Sequence, residues 1–153
     1  MSVSLRPMSA EKMAGWIARG NREYTAERIQ SGESPELAQQ KADESDAQFF
    51  PDGRPLGTHR VSEVVVDGEV VGQVWIGPQR EGIDQWWVWD VEIAEEHRRK
   101  GYARAALELA HEQARSLGAT AIGLNVSGFN TGARDLYERL GYVVTAQQMR
   151  LEL

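Results

Sequence analysis

Gln85-Trp86-Trp87-Val88-Trp89-Asp90-Val91-Glu92-Ile93, followed by Ala94-Glu95-Glu96-His97-Arg98-Arg99-Lys100-Gly101-Tyr102-Ala103-Arg104, is the stretch around which the chain is organised. Its first nine residues are rich in aromatic and β-branched side chains and predict a strand. A two-residue period puts Trp87, Trp89, Val91 and Ile93 on one face and Trp86, Val88, Asp90 and Glu92 on the other. One face thus ends in two carboxylates, and Trp86 shares it, where an aromatic ring can border a site for a cation. From Gly101 the spacing turns helical. A helix N-terminus presents unbonded amide groups and the positive end of its dipole, which together hold an anion. Gly101 and Ala103 let a phosphate approach the backbone closely, and Arg98, Arg99, Lys100 and Arg104 add positive charge. The turn suits a nucleotide-like diphosphate; a solvated basic helix start is the other reading. No Gly-Lys-Ser/Thr follows, so this is not a Walker A loop, and the third glycine of the dinucleotide fingerprint is missing.

Working outward, Ala103, Ala106, Leu107, Ala110, Ala114 and Leu117 keep helical spacing until Gly118 stops the helix. Residues 120–126 predict a strand. Residues 130–140 predict a helix with Ala133, Leu136, Tyr137 and Leu140 on one stripe, ended by Gly141. Residues 142–153 predict one or two final strands. On the other side, residues 3–5 predict a short strand closed by Pro7. Ser9 then caps a helix striped by Met13, Trp16, Ile17 and Tyr24, weakened at Gly20 and broken at Ser31-Gly32-Glu33-Ser34-Pro35. Ser34 with Pro35 at the first helical position starts a second helix ending near Phe50-Pro51. Residues 52–58 are loop. The β-branched runs 61–66 and 70–76, joined by Asp67-Gly68, predict a hairpin. Two helices, a β-meander and a β-α-β-α-β run make an α/β chain of the α+β kind. The expected architecture is a mixed, mostly antiparallel central sheet with helices on both faces, in one domain over residues 1–153.

Composition narrows the function. With 41% hydrophobic and 26% charged residues, the chain is not of the disordered class. There are no cysteines, which excludes disulfides, thiolate metal sites and a cysteine nucleophile. His59, His97 and His111 show no metal-ligand spacing, so no metal is expected; His111 reads as a helix-surface residue and His97 as part of the loop. With 23 acidic against 17 basic residues the net charge is -6, which disfavours nucleic acid and favours cationic partners. No apolar run approaches the roughly 18 residues of a membrane span. Met1 to Pro7 lack the apolar core of a secretory leader, so the expected location is cytoplasmic.

Arg98-Arg99-Lys100-Gly101-Tyr102-Ala103 resembles the Arg/Gln-x-x-Gly-x-Gly/Ala motif of the GNAT family, the Gcn5-related N-acetyltransferases. The preceding residues 89–97 look like that family's central strand and loop. Downstream, Asn130-Thr131-Gly132-Ala133-Arg134-Asp135-Leu136-Tyr137-Glu138-Arg139-Leu140-Gly141-Tyr142 is similar to its Asn-x-x-Ala-x-x-Leu-Tyr-x-x-x-Gly-Phe, with Tyr142 in place of Phe. The match spans about residues 85–145, with both motifs in the family's order.

The resemblance implies an acetyl-CoA-dependent N-acetyltransferase in which a primary amine, of a small molecule or a peptide, attacks the thioester directly. It assigns the pyrophosphate to Arg98, Arg99, Lys100, Gly101, Tyr102, Ala103 and Arg104, and the pantetheine arm to backbone groups near the strand end, at Val91, Glu92, Ile93 and Ala94. Asn130 would contact the cofactor as well as cap its helix. An ammonium of pKa about 10.4 has to lose a proton before it attacks. Glu92 is the candidate base, with a surface or substrate-positioning carboxylate as the alternative. Some family members carry a glutamate where this chain has Asn125, which cannot act as a base. Tyr137 is the family's proton donor to the departing thiolate; core packing is its other reading, since it lies on an apolar stripe. A non-catalytic acyl-CoA-binding module of the same fold is the rival function. A cationic acceptor is expected, without nucleic acid or membrane, and a homodimer is one assembly left open.

Overall fold

The structure, a computed structural model, describes residues 2–153; Met1, the first residue of the leader reading, lies outside the described residues. The elements are β1 (Val3–Pro7), α1 (Ala10–Gln30), α2 (Pro35–Phe49), β2 (Arg60–Val66), β3 (Glu69–Pro78), β4 (Gln85–Ile93), α3 (Tyr102–Ser116), β5 (Ala121–Gly123) and α4 (Thr131–Arg139). They build one sheet in the order β1-β2-β3-β4-β5. Neighbours are antiparallel except β4 and β5, which run parallel.

Local chemistry accounts for most boundaries. The Ser9 hydroxyl accepts from the Lys12 amide at 3.3 Å, and Ser34 from Leu37 at 3.2 Å, so both N-caps form as expected. Gly20 does not interrupt α1. Asn21, its neighbour, donates to Asp46 at 2.7 Å and to Asp43 at 3.1 Å and so ties α1 to α2. Asp67 and Gly68 both take positive φ, 49° and 85°, as a two-residue hairpin turn requires.

The sheet buries both faces. On one, Val74, Ile76, Trp86 and Val88 pack against Leu107, Ala110 and Ala114 of α3, and Val64, Val66, Val71 and Ile93 pack against Tyr102 and Ala106. On the other, Val61 and Trp75 meet Met13, Trp16, Phe49 and Phe50 from the α1–α2 side.

Three expectations are corrected. First, β4 does not keep a strict two-residue period. Trp75 pairs with Asp90 and Ile76 with Val88, so Trp89 is an extra residue on β4, a β-bulge. The bulge resets the alternation. Trp86, Val88, Val91 and Ile93 all pack on the α3 side, whereas Trp89, Asp90 and Glu92 line a cleft beneath α1. Trp86 therefore does not share a face with the two carboxylates. Second, the strand expected over 120–126 is confined to Ala121–Gly123. Third, residues 142–153 form no strand; beyond Tyr142 no sheet neighbour takes the chain up, and Val143, Met149 and Leu151 are exposed.

Candidate active site

β4 and β5 pair only between Gln85–Trp87 and Ala121–Gly123. From Val88 to Ile93, β4 keeps β3 as its neighbour but has none on the β5 side. The ring of Trp87 lies over Gly123, where a Cβ would stand 2.5 Å from a ring carbon, so only glycine fits at the last paired residue. The two strands part here into a wedge lined by backbone N–H and C=O groups, which need partners. Val91 and Ile93 lie in this one-sided stretch. The Ile93 carbonyl accepts from Arg98 Nε at 2.8 Å, which ties the basic turn to the end of β4.

The turn itself carries two left-handed residues, Arg99 at φ 63° and Gly101 at φ 82°. No side chain caps α3. Arg98, Arg99, Lys100 and Arg104 are exposed around its start, with Arg104 paired to Glu108 at 3.1 Å. Ala103 is half-buried. The Tyr102 ring is buried with Val64 and Ile93, so its part in an anion site is limited to its backbone. Asn130 Oδ1 accepts from the Ala133 amide at 3.3 Å and caps α4.

Beneath α1, next to the β4 bulge, is a cavity of about 370 Å³. Its wall is aromatic. Trp75 and Trp89 stack at 5.5 Å, and Trp16 and Phe50 meet Trp75 at 5.7 and 4.8 Å. Asp90, Glu92, Asp46, Glu23 and Glu27 bring five carboxylates, against one cation, Arg19, among its lining residues. Glu92 is half exposed and lies 3.8 Å from Arg19. Asp90 lies deeper. Burial pushes its carboxyl above the ordinary range, a donor bond from Gln73 Nε2 at 3.3 Å pulls the other way, and the charge of Glu92 raises it further.

Tyr137 on α4 packs half-buried against the α3-side core, 5.7 Å from the Tyr142 ring. Burial and the charge of Asp90 both raise its phenol pKa, so the hydroxyl keeps its proton. Tyr142 is held in turn by His111 Nε2, 2.7 Å from its hydroxyl. His111 is thus half-buried and bonded, not a plain surface residue.

The model of the acetyltransferase (GNAT) family matches residues 23–142. The chain belongs to the GNAT family. YycN of Bacillus subtilis (strain 168), named as an uncharacterized N-acetyltransferase, is 30% identical over all of both chains. The crystal structure of YycN superposes with a TM-score of 0.82 at 28% identity, covering 99% of each chain. YdgE of the same organism, also named as an uncharacterized N-acetyltransferase, is 29% identical over 100% of this chain and 99% of its own. AAC(6')-Iy, in a structure holding the bisubstrate analog CoA-S-monomethyl-acetylneamine, shares the fold at 14% identity, with a TM-score of 0.63 over 100% and 99% of the two chains. GNAT enzymes use acetyl-CoA as co-substrate.

In this GNAT chain the wedge and the α3 turn meet at the end of β4, Asp90 and Glu92 of the same strand line the acid-lined cleft, and the charge of Asp90 reaches Tyr137. Glu92 is the expected base and Asp90 only its neighbour on the strand, although the signal for Asp90, an acid between Trp89 and Val91, is in the sequence. Trp16, Trp75 and Trp89, for which the sequence favours the core over the wall of an acceptor pocket, line the cleft. Among the described residues no group of three or more His, Asp and Glu is placed to hold a metal.

Proposed function

We propose that this GNAT protein transfers an acetyl group from acetyl-CoA to a cationic primary amine held in the cleft under α1, acting as one catalytic domain over residues 1–153. The observation that carries the reading is the acid-lined aromatic cleft, whose Asp90 stands on the stretch of β4 that no longer pairs with β5 and whose charge reaches Tyr137. Acetyl-CoA supplies a thioester carbonyl open to attack by a neutral amine. The uncapped start of α3, with Arg98, Arg99, Lys100, Gly101, Tyr102, Ala103 and Arg104, suits the pyrophosphate. Val91 and Ile93 in the wedge, with Asn130 at the start of α4, suit the rest of the donor.

On the acceptor side, the five carboxylates draw in a cation and the stacked tryptophans favour it over an anion. Asp90 and Glu92 form the basic end. Asp90, with its raised pKa, takes the ammonium proton more readily than an ordinary carboxylate does. The amine nitrogen then bonds to the carbonyl carbon, the carbon–sulfur bond breaks, and Tyr137 gives its proton to the sulfur; the acylated nitrogen sheds its second proton, which restores the phenol, and Asp90 releases the first to solvent. The raised pKa of Tyr137 keeps the phenol proton available at neutral pH.

Thiol release from acetyl-CoA, followed against monoamines, polyamines, aminoglycoside-type amines and basic peptides, tests the reading. Amine-dependent release with a cationic acceptor is expected. Tight acetyl-CoA binding with no release across the panel would instead describe a non-catalytic acyl-CoA-binding module.

A further inference from the structure

Behind the aromatic wall of the cleft lies a second cavity, of about 560 Å³. It sits between the end of α2, the loop over residues 56–59 and the loop that joins β3 to β4. The two cavities back onto one wall. Phe49 lines the second cavity and meets Trp75 at 5.6 Å and Trp89 at 4.8 Å, both of which line the cleft. The charged residues of the second cavity, Arg80, Glu81 and Asp84, are exposed at its rim. Its buried and half-buried lining is apolar or aromatic, with Leu56, Ile83 and Trp86 beside Phe49, apart from His59. His59 is only 6% exposed.

Two observations fix what His59 offers. The indole N–H of Trp75 can only donate, and it donates to His59 Nδ1 at 3.0 Å. Nδ1 is therefore bare, and the proton of the neutral ring sits on Nε2 as a donor. Nε2 has no hydrogen-bond partner among the described residues, yet the protein does not seal it off. The ring lines the second cavity and not the cleft, so this N–H opens there. The ring is also firmly placed. It packs on Gly77, where a Cβ would stand 2.2 Å from Nδ1, so only glycine fits against it.

We propose that this cavity is a second small-molecule site, for a neutral, largely apolar compound whose carbonyl oxygen accepts the His59 Nε2–H. A lone donor in an apolar lining demands an acceptor. Among the described residues the lining holds no buried charge to pair with an ionised ligand, so an ion would lose its water there without compensation. The volume falls within the roughly 300–1,000 Å³ of small-molecule sites. The chemistry is opposite to that of the cleft on the other side of the wall, which carries five carboxylates. Ligand, His59 and Trp75 would form one chain of hydrogen bonds, so occupation registers on a ring of the cleft wall. The inference does not rest on the catalytic reading, and its test does not use turnover.

Three aromatic probes of similar size test it: acetanilide, neutral with a carbonyl, phenylacetate, an anion, and phenethylamine, a cation. Nitrogen–proton NMR titrations on the whole chain read the His59 imidazole and the Trp75 indole. Acetanilide is expected to move both signals saturably with a Kd of about 1 mM, and the charged probes to bind there at least tenfold more weakly. His59→Leu, which removes the donor, should weaken acetanilide at least fivefold at the Trp75 signal. Thr58→Trp, at an exposed residue of the lining, should block the cavity and abolish binding, with melting temperature and acetyl-CoA affinity unchanged. It leaves His59 and Trp75 in place, so it decides the matter even where His59→Leu fails to fold. Acetanilide at about ten times that concentration moving neither signal overturns the inference. So do equal affinity for a charged probe, unchanged affinity in a folded His59→Leu, and binding that survives Thr58→Trp.

Discussion

The Asp90 carboxylate on β4 lies close enough to the Tyr137 hydroxyl on α4 for its charge to raise the tyrosine's pKa. A carboxylate on one element thus bears on the proton of a phenol far away in sequence. If Tyr137 is the proton donor to the leaving sulfur, Tyr137→Phe removes the proton and little else. Turnover should fall by about 10²–10⁴, with acetyl-CoA affinity by calorimetry changed less than twofold. A parallel loss of both would assign Tyr137 to packing.

Asp90 and Glu92 differ in depth, and the difference ranks them. Asp90→Asn should lower kcat by about a hundredfold and remove an acid limb from the kcat/KM profile that lies above the ordinary carboxylate range. Glu92→Gln, at a half-exposed position beside Arg19, should raise the KM of a cationic acceptor several-fold and leave the limb in place. A pH–rate series on the two variants checks this. An unchanged profile in Asp90→Asn would transfer the role of base to Glu92 or to solvent.

The donor turn depends on left-handed backbone at Gly101. A β-branched residue there resists φ 82° at a cost of about 1–2 kcal/mol and projects atoms toward the anion site. Gly101→Val should therefore weaken acetyl-CoA about tenfold or more in calorimetry, while Arg104→Gln, at an exposed residue already paired with Glu108, should weaken it only a few-fold.

The features that the sequence disclosed are those that a residue type alone imposes. Ser9, Ser34-Pro35 and Asp67-Gly68 each satisfy a local backbone demand, and each boundary falls where it was read. The bulge at Trp89 was not legible, because Trp86, Trp87, Val88 and Trp89 are apolar at consecutive positions and carry no alternation for an extra residue to break. Asp90 stood in view, but its depth comes from α1 overhead and Gln73 on β3, which strand periodicity does not report. The alternation from Met149 to Leu153 does describe an extended tail. A strand also needs a neighbour, and no local pattern supplies one.

His59 offers a test of the aromatic wall itself. It is buried, its Nδ1 accepts from Trp75 Nε1 at 3.0 Å, and burial pushes its pKa down to about 4. The unfolded chain, titrating near 6.5, therefore binds the proton first as pH falls. Stability present at neutral pH should be lost between about pH 6.5 and 4, with a slope of up to about 1.4 kcal/mol per pH unit. Melting curves across that window should show the loss for the natural chain, and a shallower one for His59→Gln. Equal slopes would mean that His59 is as hydrated folded as unfolded.

The central claim is that the acid-lined cleft delivers a cationic amine to a donor held in the wedge. Thiol release from acetyl-CoA, measured with a di- or polyamine against a neutral-backed monoamine of similar size, tests it most directly when run beside Asp90→Asn. The account predicts amine-dependent release, favouring the multiply charged acceptor by at least tenfold in kcat/KM and largely abolished in Asp90→Asn. Release that ignores acceptor charge and survives Asp90→Asn would contradict it.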